Sequence, residues 1–533
     1  MKQLSTKQTN TIYFIFILGI AFLIRIVGLG LVPFGINQDE AMGAMDALAL
    51  AQYSTDRFGT YLPVHFEAWG YGQMSVLLAY CMVPFIKLFG FSILTIRLPL
   101  ALISTLSIYI IYKISQYYFS EKMSLIIMAL TAINPWQIMQ SRWALDCNVF
   151  PHFFLLAFYF LLLGLEKSRY LYISMIFFGL TFYAYGIAIY TVPAFLCVFA
   201  AFCLWKKQLP LTKILLSILI FTLIALPEVI VMFINLVGLD TITTPFFTMQ
   251  YFPESIRSSD ILLMDFSFYQ LYKNCLSLLT QAFLQFPDHL FNSLPAFGPL
   301  YHLSTPFVFI GIYAFTKRLF TSKDLKQQTK DLALWGFLIT GIWAGIVTYE
   351  VNINRINIIF YPLIILCGYG LYTVYTFLRK PHYKLLYSRT LICGYSVYFI
   401  LFCSTYFTSF AEEIQVYFNV DFLEAVQTVD ELEEYDTLYI TGNMGWQFNS
   451  TMAEILTQYS CSIDALYLQG ITNIHQDREL LAYIERYQFM EYNTYPYAEG
   501  SVLYLVHESE LEAFPYEYTI LLDLEQFKGI TID

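Results

Sequence analysis

The chain has 533 residues, of which 58% are hydrophobic and 19% aromatic but only 13% charged, about half the charge of an average soluble protein. With a mean hydropathy of +0.57 there is too little polar surface to cover a globular core of this size, which excludes a soluble enzyme, a nucleic-acid binder and a disordered chain. What remains is a polytopic α-helical membrane protein, in which helices satisfy the backbone groups that lipid cannot.

The charge is unevenly spread. Residues 1–410 carry 26 Lys and Arg against 17 Asp and Glu, whereas residues 411–533 carry 3 against 23. This asymmetry divides the chain into a membrane domain, 1–410, and an acidic domain, 411–533, which anionic headgroups would repel into water. The nine cysteines include no C-x-x-C pair, so neither a disulfide framework nor a zinc motif is indicated.

In chain order, apolar runs approach spanning length at 11–32, 74–90, 93–112, 123–139, 149–165, 170–187, 188–205, 211–236, 303–316, 332–349, 355–378 and 390–410. The run 74–90 is short, contains Pro84 and is flanked by Lys87. Whether it crosses sets the side of everything after it. If it does not cross, 18 of the 26 basic residues of the membrane domain fall on the side of the N-terminus, as the positive-inside rule requires. The reading is therefore about eleven spans plus interfacial helices, with the N-terminus cytoplasmic and the C-terminal domain extracytoplasmic. Four non-helical stretches then share the outer face: 33–73, 141–148, 237–302 and 350–355. The first run is too long, and too lacking in an A-x-A site, for a cleaved signal peptide.

In the acidic domain, strand-type runs at Asp436–Thr441, Ala465–Leu468, Ser501–His507 and Tyr518–Leu524 are separated by helical patterns at Ser450–Tyr459 and Arg478–Tyr487. Such alternation predicts a small α/β fold.

Candidate chemistry lies on the outer face. Asp39 and Glu40 form a carboxylate pair seven residues beyond the first apolar run, suited to general-base activation of a hydroxyl. Asn37 followed by Glu40 equally resembles a capping box for a helix 41–52. Arg142 and Asp146 are spaced to pair with each other if helical. Alternatively, Arg142 meets a phosphate while Asp146 orients a sugar or acceptor. Arg355 is either a snorkelling interfacial cation or a clamp for an anionic lipid head. His65 and Glu67 are of metal-ligand type, but two residues do not make a site, and a solvated loop explains them as well. Arg25, Lys87 and Arg97 read as snorkelling side chains near span ends. Glu228 is an intramembrane carboxylate with no partner evident in the sequence.

The order of short motifs resembles the GT-C superfamily of membrane glycosyltransferases, which includes protein O-mannosyltransferases and bacterial aminoarabinose or polyprenyl-phosphate-sugar transferases. It runs from Pro33 and Asp39-Glu40 through Gly59-Thr-Tyr-Leu-Pro63, Trp69-Gly70-Tyr-Gly72, Leu88-Phe-Gly90 and Arg97-Leu-Pro99. It continues with Asn134-Pro135, Ser141-Arg142…Asp146 and Tyr185…Tyr190…Pro193. The likeness covers about residues 1–200, thins through 355–380 and is negligible in 237–330 and the tail.

The resemblance implies inverting transfer of a sugar from a polyprenyl-phosphate carrier to an extracytoplasmic acceptor, a cell-surface glycan or a protein. Asp39 matches the family's base and Glu40 its neighbour; Arg142 and Asp146 match the second-loop pattern tied to the active site. Arg355, His65 and Glu67 complete the candidate substrate-binding set. The first loop lacks a D-x-D motif, which leaves a divalent cation only a possibility, with Glu67 and His65 as loose candidates. The expected partners are the lipid-linked donor, the acceptor and the bilayer, with no nucleic acid, in a bacterial cell membrane. Competing readings are a flippase for lipid-linked sugar, which predicts repeated halves, and a non-catalytic membrane scaffold displaying the acidic domain.

Overall fold

A computed structural model describes residues 6–68, 72–252, 262, 266–464 and 486–532. The chain divides into two compact units. One comprises Met1–Leu29, Arg97–Phe233 and Ile256–Phe407; the other comprises Gly30–Ile96, Ile234–Ser255 and Thr408–Asp533. The acidic C-terminal segment thus shares its unit with the first loop rather than standing alone.

Among the described residues, eight helices are long and apolar enough to cross a membrane. They are Lys7–Ile26, Ile93–Ser115, Asp146–Gly164, Ala188–Trp205, Leu211–Val237, Leu325–Val347, Ile353–Phe377 and Pro381–Phe418. Three of the eleven expected spans are shorter. The run 123–139 breaks at Asn134-Pro135: Asn134 Oδ1 accepts from Gln137 N at 3.0 Å and starts a new helix, Pro135–Gln140, after Glu121–Ala132 ends. Ser168–Leu180 tightens into a 3₁₀ turn at Thr181–Tyr183, and Thr305–Thr321 has 17 residues. Leu77–Phe89 has 13 residues, about 20 Å at 1.5 Å rise, short of the roughly 30 Å hydrocarbon core.

Packing in the helical unit depends on small residues. A Cβ on Gly311 would lie 1.8 Å from Leu366 O, and one on Gly370 would lie 1.9 Å from Phe307 O. Helices Thr305–Thr321 and Phe360–Phe377 therefore meet backbone to backbone, as helices do where lipid removes the hydrophobic drive between them. Ala21, Ile108, Tyr112, Leu125, Met128 and Ala132 form one of its cores. On Leu211–Val237, the side chains of Leu215, Leu219, Leu223 and Leu236 stay exposed, as lipid-facing residues should.

In the other unit, helices Gln38–Tyr53 and Ser450–Ser460 pack on each other, and Phe66–Ala68 pairs antiparallel with Gly72–Met74. The C-terminal segment builds a five-stranded sheet in the order Tyr487–Met490, Thr437–Thr441, Val502–His507, Phe527–Ile532, Tyr518–Leu524. The first three strands are parallel, and Phe527–Ile532 runs antiparallel to both of its neighbours. Val502–His507 is buried along its whole length, the pattern of a central strand covered on both faces. Tyr439 stacks on Tyr504 at 5.0 Å across that pairing.

The expected strands at 436–441, 501–507 and 518–524 and the helix at 450–459 are present. Trp69, Gly70 and Tyr71, the strand at 465–468 and the helix at 478–487 up to residue 485 lie outside the described residues. Tyr487 itself begins a strand. Phe527–Ile532 was not expected; it returns from Tyr518–Leu524 through a tight turn with Glu525 at φ +47°.

Candidate active site

The first loop rebuilds itself from its sequence. Asn37 is the N-cap of Gln38–Tyr53, and its Oδ1 accepts from Asp39 N at 3.1 Å. Asp39 and Glu40 fall in the first turn, where the free N–H groups and the helix dipole favour anions. The two carboxylates differ in access: Glu40 is 0% exposed, whereas Asp39 is half-buried. Asp39 is therefore the one a hydroxyl can approach. The cap of this helix is supplied by the Asn37 side chain through Asp39 N.

Two turns along the same helix, Asp46 binds Arg57 in a buried ion pair of 2.5 Å. Arg57 N also donates to Asp46 Oδ1 at 3.0 Å, and Arg57 Nη2 donates to Glu67 O at 2.7 Å. Burial pushes the Asp46 carboxyl up to about 7, against the opposing pull of Arg57. Asp56 accepts from Phe58 N at 3.0 Å, Thr60 N at 2.8 Å and Gln250 Nε2 at 3.2 Å. Burial also raises its pKa, outweighing those bonds. Arg57, one of the few basic residues expected on the outer face, forms a scaffold with Asp46, Asp56 and Gln250, which the sequence reading did not single out. The available signal was the seven-residue spacing of Asp39 and Asp46, which places both on one helix face.

His65 is buried, its ring edge-on to Phe252 at 6.3 Å, while the Glu67 side chain is exposed. Among the described residues, no group of three or more His, Cys, Asp or Glu side chains is placed to hold a metal ion.

The other candidates belong to the helical unit. The helix carrying Trp136 ends at Gln140, and Asp146–Asn148 forms a 3₁₀ turn, so the helical i,i+4 spacing of Arg142 and Asp146 does not hold. Arg142 is 0% exposed and donates from Nη1 to Ile24 O and from Nη2 to Gly28 O, both at 2.7 Å. Its guanidinium lies 5.0 Å from the Phe407 ring centre. It thus caps the end of the Thr6–Ile26 helix. Arg25 and Arg97, expected to snorkel, are also 0% exposed. Arg25 donates from Nε to Gln137 Oε1 at 2.7 Å and from Nη1 to Ala21 O at 2.7 Å, and Arg97 Nη1 to Leu29 O at 3.4 Å. Internal carbonyls, rather than headgroups, receive these cations.

Asp146 Oδ1 accepts from Cys147 N at 2.6 Å. Asn357 Nδ2 donates to Cys147 O at 2.8 Å, which ties the Asp146 turn to the segment following the short Ile353–Ile356 helix that carries Arg355. Asn352 caps that helix, its Oδ1 accepting from Arg355 N at 2.9 Å. Asp288 Oδ2, also absent from the sequence reading, accepts from Ile353 N at 2.6 Å. Arg355 Nη1 donates to Glu350 O at 3.0 Å and Thr348 Oγ1 at 3.2 Å, and the side chain is half-buried. The structure therefore brings Asp146 and Arg355 into one tied cluster, holds Asp39, Glu40, His65 and Glu67 in the other unit, and commits Arg142 to a helix end.

A family model described as dolichyl-phosphate-mannose-protein mannosyltransferase matches residues 74–231. A comparison with curated protein sequences finds no match. Among solved structures, the chain is similar to ArnT from Cupriavidus metallidurans bound to undecaprenyl phosphate, at 12% identity over 98% of both chains with a TM-score of 0.60. The apo state of that protein matches at 11% identity over 98% of both chains, also at 0.60. An oligosaccharyltransferase from Archaeoglobus fulgidus, tethered with an acceptor peptide, matches at 14% identity over 87% of this chain and 64% of that one, at 0.50. The structural likenesses are of fold alone, and the family model matches fewer than a third of the residues.

Proposed function

We propose that the chain transfers a sugar from a polyprenyl-phosphate carrier to a hydroxyl acceptor at the outer face of a bacterial membrane, with Asp39 as general base. The observation that carries this reading is the half-buried Asp39 beside the fully buried Glu40 on a capped helix start, in a fold shared with a protein solved with undecaprenyl phosphate. In the reaction the acceptor oxygen bonds to the anomeric carbon as its proton passes to the Asp39 carboxylate. The bond from that carbon to the phosphate oxygen breaks on the opposite face, which inverts the configuration, and the carrier leaves as polyprenyl phosphate. A phosphate leaving group gains from a cation placed where its charge develops. A carrier anchored in the same membrane supplies proximity.

The test is incubation of the purified protein in proteoliposomes with polyprenyl-phosphate sugars labelled in the sugar, together with a polysaccharide or a protein acceptor. The reading expects label in the acceptor and stoichiometric free polyprenyl phosphate. Movement of label across the bilayer without release of the carrier would instead make the chain a flippase.

A further inference from the structure

The acidic C-terminal segment has no role in the reaction just described, yet it begins by gripping the loop that carries the base. Ile36 N donates to Phe418 O at 2.9 Å. Asn37 Nδ2 donates to Tyr417 O at 3.2 Å, and Asn419 Nδ2 donates back to Ile36 O at 3.1 Å. These bonds join Ile36 and Asn37 to three successive residues, 417–419. Asn37 is the cap whose Oδ1 receives Asp39 N, so one side chain links the C-terminal segment to the backbone of the base.

Two features show that the contact is built rather than incidental. Gly35 has φ +77°, and a Cβ there would sit 2.3 Å from Phe418 O and 2.8 Å from Val420 Cγ2, so only glycine lets the two strands of chain approach this closely. Asn419 adopts φ +53° and is 4% exposed, a left-handed conformation that asparagine tolerates better than most residues. Its Oδ1 accepts from Trp446 Nε1 at 3.2 Å. Its amide is therefore fixed at both ends, by the loop following strand Thr437–Thr441 and by the first outer loop.

We propose that Asn419 is a positioning residue for Asp39, and that the C-terminal segment serves the reaction by holding the base-bearing helix start through a Trp446–Asn419–Ile36/Asn37 clamp. This rests on the reading of Asp39 as the base. A general base misplaced by about 1 Å can lose up to about 100-fold in rate, so an indirect residue of this kind acts on the chemical step rather than on donor binding.

Asn419→Gly removes the side-chain bonds while keeping the left-handed backbone accessible, and Trp446→Phe removes one bond and keeps the ring. In nanodiscs, each variant is measured for melting temperature, for kcat and donor KM, and for amide hydrogen exchange at residues 36–39. Asn419→Gly is expected to lower kcat by about 10- to 100-fold with donor KM unchanged, and to lower the melting temperature through the two buried side-chain bonds it loses. Exchange should quicken by about 2- to 10-fold for each hydrogen bond lost, and Trp446→Phe should move both readouts the same way by less. In an Asp39→Asn background, Asn419→Gly should lower kcat no further. Unchanged exchange at 36–39, or an equal further loss of kcat in the Asp39→Asn background, would overturn the clamp. If Asp39→Asn proves fully active while Asn419→Gly still speeds exchange, the base assignment has failed and the clamp stands as a structural contact only, which overturns its positioning role.

Discussion

Arg57→Met isolates the contribution of the buried ion pair beneath the first loop. Methionine keeps much of the stem and deletes the charge, leaving Asp46, 0% exposed, without its cation. Removing one partner of a buried pair costs about 3–5 kcal/mol, because the remaining charge is stranded. Burial already pushes Asp46 up to about 7 while Arg57 pulls the other way, so losing Arg57 moves it higher. The folded variant then keeps a proton that the unfolded chain releases near the ordinary value of 3.8. Stability from this group is fully present below that value and is lost as pH rises toward the raised folded value, at no more than about 1.4 kcal/mol per pH unit. Denaturant unfolding in detergent, followed by a fluorophore attached in the first loop and repeated from pH 5 to pH 8, reads both effects. The double variant Arg57→Met/Asp46→Leu should recover most of the loss and flatten the pH profile. A pH-independent loss in the single variant, or a double variant no more stable than the single, would refute the reasoning.

Gly311→Ala should force apart helices whose backbones meet at Leu366 O, with overpacking costs of about 1–3 kcal/mol or more; an unchanged melting temperature would contradict the close crossing. Arg142→Gln should lower the melting temperature through loss of charge-assisted bonds to Ile24 O and Gly28 O, each worth about 1.5–3 kcal/mol, while leaving the donor KM of the folded fraction unchanged. A raised KM with unchanged stability would return Arg142 to the phosphate.

The membrane class, the start of the Asp39 helix and much of the C-terminal α/β pattern were legible because they depend on local signals. Uninterrupted apolar runs mark helices, Asn37 marks a cap, and buried strands such as Val502–His507 read as continuous apolar stretches. What the sequence hid depends on tertiary packing. Arg25 and Arg97 near span ends look like snorkelling cations until the carbonyls that receive them are seen. Of the two readings of Arg142 and Asp146, the helical pair does not hold, because Pro135 opens a helix that closes at Gln140, before the spacing can take effect. The sharp charge boundary near 410 divides the sequence by composition, while the fold groups Gly30–Ile96 with Thr408–Asp533. The grip of Tyr417, Phe418 and Asn419 on Ile36 and Asn37 spans nearly 400 positions, and no local pattern announces it.

Single-turnover transfer from a purified polyprenyl-phosphate sugar, by the wild type and Asp39→Asn side by side in nanodiscs, tests the central claim most directly. Loss of a general base predicts a fall of about 10²- to 10⁴-fold in the chemical step, with donor binding and melting temperature retained. Transfer by a correctly folded Asp39→Asn variant at the wild-type rate would contradict it.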